Sequence, residues 1–155
     1  MPTADPTDLI DAIAADLLEH VTLPEYLDWR HAPPAGLSAD NTPWLAIWLS
    51  RTAHRALGVD GDELVYADDH QISVQWAEQA VDTATVTAGI SDDAADPDVV
   101  TRSTAIQRRL ATYAARIPGL DSDANLEATL ADTIYGSDGA AITATTTLTV
   151  TQTPA

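Results

Sequence analysis

Ala141-Ile142-Thr143-Ala144-Thr145-Thr146-Thr147-Leu148-Thr149-Val150-Thr151-Gln152 decides the fold. Ile142, Ala144, Thr146, Leu148 and Val150 fall on one side of an extended chain, because successive side chains of a strand point to opposite faces. Thr143, Thr145, Thr147, Thr149 and Thr151 take the other side, and branched Thr is well suited to a pleated surface. The period of two predicts a strand. Immediately before it, Gly136-Ser137-Asp138-Gly139 carries a turn signal, and Leu126 to Tyr135 supplies a first arm. The pair predicts a closing β-hairpin. Leu126, Leu130 and Ile134 also recur at helical spacing, so strand and helix both stay open for 123–135.

Further strands lie upstream. In His70-Gln71-Ile72-Ser73-Val74-Gln75-Trp76, the apolar residues Ile72, Val74 and Trp76 alternate with polar ones, and Leu64-Val65-Tyr66 reads as extended. Pro43-Trp44-Leu45-Ala46-Ile47-Trp48-Leu49 is aromatic, branched and short, as a buried strand would be. Thr42 as cap and Pro43 at a first helical position make a helix the competitor over 43–57. Two helices complete the set. Thr7 and Asp8 read as a helix start, followed by Leu9, Ile10, Ile13, Leu17, Leu18 and Val21 at helical spacing. The second helix runs from about Asp98 to Arg116, with Val99, Ile106, Leu110, Tyr113 and Ile117 on one arc and Pro118-Gly119 as its stop. Residues 23–41 and 89–98 read as loops. The expected fold is therefore α+β: one domain over 1–155, with two main helices packed on an antiparallel sheet of about four strands that ends in a C-terminal β-hairpin.

Charge places the chain in an environment. Among its 155 residues, 24 acids face 7 bases, all Arg, for a net charge of -17. Like charges repel more once a chain is compact, and salt relieves this because the Debye length is about 3 Å at 1 M. A surface rich in Asp and free of Lys reads as adaptation to a salt-rich cytoplasm. High net charge also suggests disorder, but 45% apolar residues, four Trp and clear periodicity point to a packed core. The acidity disfavours nucleic acid and anionic membranes as electrostatic partners. No run reaches the ~18 apolar residues of a membrane span, and Met1-Pro2-Thr3-Ala4-Asp5 lacks the features of a signal peptide. Without Cys there is neither a disulfide framework nor a thiolate metal site.

Catalytic patterns are not seen: there is no Gly-x-Ser-x-Gly, no phosphate-binding glycine loop and no His-Glu-x-x-His. His20, His31, His54 and His70 are scattered without ligand spacing, which favours surface or capping roles. Asp60-Gly61-Asp62-Glu63 and Asp68-Asp69-His70 offer oxygen ligands for a hard cation, yet neither fits the twelve-residue calcium loop. No catalytic residue, metal ligand or cofactor is expected.

The informative pattern is where acids are missing. The window between Asp40 and Asp60 holds Arg51, His54, Arg55, Trp44 and Trp48. The window between Asp98 and Asp121 holds Arg102, Arg108, Arg109 and Arg116, and Gly139 to Ala155 has no charged side chain. Arg102, Arg109 and Arg116 recur every seven residues, a line along one edge of a helix. Their stems could cover the core while their heads pair with acids of the same subunit. Alternatively the line is an interface edge, since the planar Arg fork suits carboxylates across a contact. Arg51, Arg55, Arg102, Arg109, Arg116, Thr145, Thr147 and Thr149 are the candidate subunit-interface residues.

Taken in order, these pieces resemble the tail terminator, or tail-completion, proteins of long-tailed viruses. The resemblance rests on the amphipathic first helix, the Pro-rich loop, the Pro-Trp-Leu-Ala-Ile-Trp-Leu strand, and the strand ending Ser73-Val74-Gln75-Trp76. The second helix and the hairpin around Gly136-Ser137-Asp138-Gly139 complete it. It implies a structural virion protein, made in the host cytoplasm, that caps the head-proximal end of the tail tube as a homo-oligomeric ring, a hexamer. The implied partners are further copies of the chain, the tail tube protein and a neck or head-completion protein. The genome would pass through the lumen without sequence-specific binding, and no membrane is involved. An adaptor or stopper of the neck and a non-viral halophilic interaction domain are the alternatives.

Overall fold

The computed structural model describes residues 5–22, 28–30, 43–79, 97–119, 125–138 and 141–153. The first helix, α1, spans Pro6–His20. Its cap is Asp5, two residues earlier than the hydroxyl cap expected at Thr7: the Asp5 carboxylate accepts the Thr7 N–H at 2.8 Å. Pro6 then occupies the first helical turn, where a missing donor costs nothing. Leu9, Ile10, Ile13, Ala14 and Leu17 form its buried stripe, whereas Leu18 faces solvent. The helix stops at Val21, whose backbone turns extended while its N–H still reaches the Leu17 carbonyl at 2.9 Å.

A short strand, β1, covers Asp28–Arg30 inside a stretch expected to be loop; the rest of that loop and residues 89–96 lie outside the described residues. The 43–57 question resolves as strand: β2 runs Trp44–Asp60 and β3 runs Glu63–Gln79, so the two separate extended segments expected at 64–66 and 70–76 are one strand. Gly61 and Asp62 make the turn between them. Gly61 has φ +66° while no non-glycine residue among those described has positive φ, the sign order of a type II′ hairpin turn with Gly first.

Helix α2 spans Pro97–Arg116 and passes into a 3₁₀ turn at Ile117–Gly119. The 123–135 question also resolves as strand, in two parts: β4, Asn125–Leu130, and β5, Ile134–Asp138. Both pair with β6, Ala141–Thr153, β4 against its far half and β5 against its near half. Gly136, Ser137 and Asp138, expected in the turn, belong to β5, and residues 139–140 lie outside the described residues. A Cβ at Gly136 would sit 3.4 Å from Thr143 Oγ1, an ordinary van der Waals contact.

Among the described residues the sheet has six strands, in the order β1-β2-β3-β6-β4, with β5 also on β6. All pairs are antiparallel except β1 with β2. The count exceeds the expected four because the first arm of the closing hairpin is broken and β1 adds a parallel edge. The fold is α+β, as expected, with both helices on one sheet face. There Leu9, Ile13, Leu17, Ile106, Leu110 and Ile117 meet Leu45, Ile47, Ile72, Val74, Trp76, Leu148 and Val150 in one core. Among the described residues, no helix is long and apolar enough to cross a membrane.

β2 and β3 outrun this core. At about 3.3 Å per residue, 17-residue strands extend roughly 55 Å. From Ser50 to Tyr66 nearly every described side chain is exposed, Leu57 at 49% and Val59 at 66% among them. The sheet therefore carries a projecting two-stranded arm.

Candidate functional site

The strand period sorts the candidate interface residues into two layers. Cross-strand rows place Arg51 beside Gln71 and Gln71 beside Thr149; Ser73 lies beside Thr147, and Gln75 beside Thr145. Directly paired residues share a face, so Arg51, Arg55, Thr145, Thr147 and Thr149 all lie on the sheet face opposite the helices. Of the eight candidates, the structure brings these five together.

This face is organised by polar links. Trp44 donates its indole N–H to Gln75 Oε1 at 3.1 Å, and Gln75 Nε2 donates to Thr145 Oγ1 at 3.1 Å. Ser73 Oγ donates to Ser50 Oγ at 3.0 Å, which donates in turn to the Gln71 carbonyl at 3.0 Å. Thr151 Oγ1 donates to Asp69 Oδ1 at 2.7 Å, and Arg55 Nε lies 3.6 Å from Asp69 Oδ2. Trp44, Ala46 and Ala77 are fully buried beneath, with Trp48 packed against them. Thr145, Thr147 and Thr149 remain half-buried, so their hydroxyls line a partly solvated surface.

The Arg line of α2 belongs to the other layer. Arg109 grips Asp16 of α1 with both Nε and Nη2, each bond 2.7 Å long. Those hydrogen bonds hold the Asp16 carboxyl below its ordinary pKa against the opposing push of burial, and the charges of Arg109, His20 and Arg116 add to the lowering. Burial pushes the nearby Tyr113 hydroxyl up, helped by the Asp16 charge. Arg102 pairs through Nη1 with Glu78 Oε1 of β3, and Arg116 is exposed in the last helical turn, where a cation complements the dipole. Two of the three repeating arginines thus engage acids of their own chain.

The acidic clusters do not converge. Asp68 and Asp69 are adjacent in β3 and therefore point to opposite faces: Asp68 meets His54 Nδ1, while Asp69 meets Thr151 and Arg55. His70 is buried, with Nδ1 3.1 Å from Thr52 Oγ1. Asp60 and Glu63 flank the hairpin turn. Among the described residues no group of three or more His, Asp or Glu could hold a metal ion. His54, Asp68 and Tyr66 line an open depression of about 450 Å³ on the arm. The His54 imidazole is 67% exposed, so the depression is open to water.

Sequence reasoning missed Glu78 and Glu127. Glu78 is buried on β3, with Oε2 and the neighbouring Trp76 indole N–H lacking hydrogen-bond partners among the described residues. Its position in an apolar-polar alternation, on the same side as Trp76, was the available signal. Glu127 is exposed on β4, a strand that the sequence left open between two structures.

The chain matches no known protein-family model and no curated protein sequence.

Proposed function

We propose that this chain is a structural virion protein, a tail terminator that closes as a homo-oligomeric ring, a hexamer, on the head-proximal end of a viral tail tube. The observation that carries the reading is the order of elements: a first helix, long antiparallel strands, a second helix and a closing hairpin, with both helices on one sheet face. That arrangement is what the resemblance in the sequence implies. A ring of head-to-tail contacts has a fixed subunit number, because the rotation between neighbours closes it. Tube growth stops where the outer face of the ring fails to reproduce the growing end. The tail tube protein and a neck or head-completion protein would dock on opposite faces.

The acidic surface supports a halophilic setting for the same particle, since a net charge of -17 on 155 residues is tolerated best where salt screens it. Negative-stain imaging of the purified chain in molar KCl tests the reading. Uniform rings are expected; dispersed single copies at high concentration would overturn it. The neighbourhood of the gene is a second check: capsid and tail-tube genes on either side are expected, and a metabolic operon would count against a virion role.

A further inference from the structure

The two outer edges of the sheet are complementary. We propose that neighbouring copies of this chain join by antiparallel pairing of β2, over Arg51–Arg55, with β4, over Asn125–Thr129, of the next copy. The joint presupposes the ring assembly proposed above.

Both edges are open among the described residues. β1 covers β2 only at Trp44–Ala46, and no described strand pairs with the outer side of β4. An unpaired edge is a template for another chain. β-Bulges at Leu49/Arg51 and Ala56/Gly58 interrupt β2, leaving a regular stretch of Arg51–Ala56 between them. β4 is 6 residues long, the same length as that stretch.

The edges also lie level. One row across the sheet reads Arg51, Gln71, Thr149, Thr129, and the next like-facing row reads Ala53, Asp69, Thr151, Glu127. β2 and β4 run in opposite directions, because three antiparallel pairings separate them. Rotation about an axis parallel to the strands keeps each row at its height. It therefore sets Ala53 of one copy beside Glu127 of the next, and Arg51 beside Thr129, in an antiparallel ladder.

Charge selects the same register. From Leu49 to Val59, β2 carries Arg51, His54 and Arg55 and no acid. From Asn125 to Thr133, β4 and its following turn carry Glu127 and Asp132 and no base. In the joint, Glu127 sits diagonally between Arg51 and Arg55 on the same face, within reach of both long side chains. Glu127, Thr129, Arg51 and Arg55 are all exposed in the single chain. The occupant that fits each edge is the other edge of a second copy.

The absence of Cys makes a direct test clean. Within one chain positions 53 and 127 are separated by three strand spacings, about 14 Å, which is beyond disulfide reach. The double variant Ala53→Cys with Glu127→Cys is oxidised in molar KCl and run on a non-reducing gel beside each single variant. The expected result is a ladder of covalent oligomers, abolished by reductant and missing from the single variants. Arg51→Cys with Thr129→Cys, on the next like-facing row and exposed, should give the same ladder and decides the matter if the first variant fails to fold. Arg55→Cys with Thr129→Cys, four residues out of register and therefore about 13 Å apart, should give none. Assembled wild-type rings with no ladder from the in-register pairs would overturn this joint and leave the ring standing. A wild-type chain that stays single in molar salt would overturn both.

Discussion

Arg109 of α2 holds Asp16 of α1 through two parallel hydrogen bonds of 2.7 Å, with both side chains mostly withdrawn from water. The pair fixes how the two helices lie beside each other on the sheet. A planar guanidinium makes both bonds at once; an ammonium makes one.

Asp16 should make stability depend on pH on the acid side. Its folded pKa lies below the ordinary carboxylate value, so its contribution is complete above the unfolded pKa of about 4 and is lost as pH falls through the lowered folded value. Urea midpoints for wild type and Asp16→Asn should differ clearly at pH 7 and draw together as pH falls through the lowered folded value. Arg109→Lys should fall between them at pH 7. A difference between wild type and Asp16→Asn that persists unchanged to pH 2 would rule out the pairing as the cause.

Core and arm should respond differently to truncation. Leu110 is fully buried between helix and sheet, and Leu110→Ala should cost about 2–5 kcal/mol by lost transfer energy and cavity formation. Leu57 projects from the arm at 49% exposure, and Leu57→Ala should change single-chain stability by about 0.5 kcal/mol or less. Denaturant titrations below the assembly concentration measure both. A large loss from Leu57→Ala would show that the arm packs onto its own body.

Salt should stabilise the fold. Self-repulsion at a net charge of -17 is screened within about 3 Å at 1 M, so the thermal midpoint should climb from 0.1 to 2 M KCl. Part of the climb reflects general strengthening of apolar burial, which chloride salts supply only weakly. The same titration on a variant with several exposed Asp residues replaced by Asn separates the two: its climb should be shallower. Equal slopes would remove the electrostatic account.

Much of the fold was legible because its signals are local. The Ile142–Thr151 alternation fixes β6 and its two faces, and the apolar stripe through Ile106 and Leu110 fixes α2. Where two local signals competed, tertiary pairing decided. Thr42-Pro43 looks like a helix start, yet Leu45 and Ile47 are held by Trp76 and Val74 across the ladder. Leu126 and Leu130 suit a helix, yet both pair with β6. The grouping of the candidate residues was legible in part: missing acids marked Arg51, Arg55 and the threonines, which the sheet assembles on one face. The α2 arginines carried the same mark, but their partners Asp16 and Glu78 are remote in sequence, so pairing inside the chain could be weighed and not seen. Glu127 had no mark at all, because its meaning comes from lying level with Arg51 and Arg55 across the sheet.

Ring assembly is the central claim, and light scattering after size exclusion in molar KCl addresses it most directly. The account predicts one sharp species of about six times the 16.4 kDa chain mass, unchanged over a tenfold dilution. A particle of single-chain mass at the highest attainable concentration would contradict it.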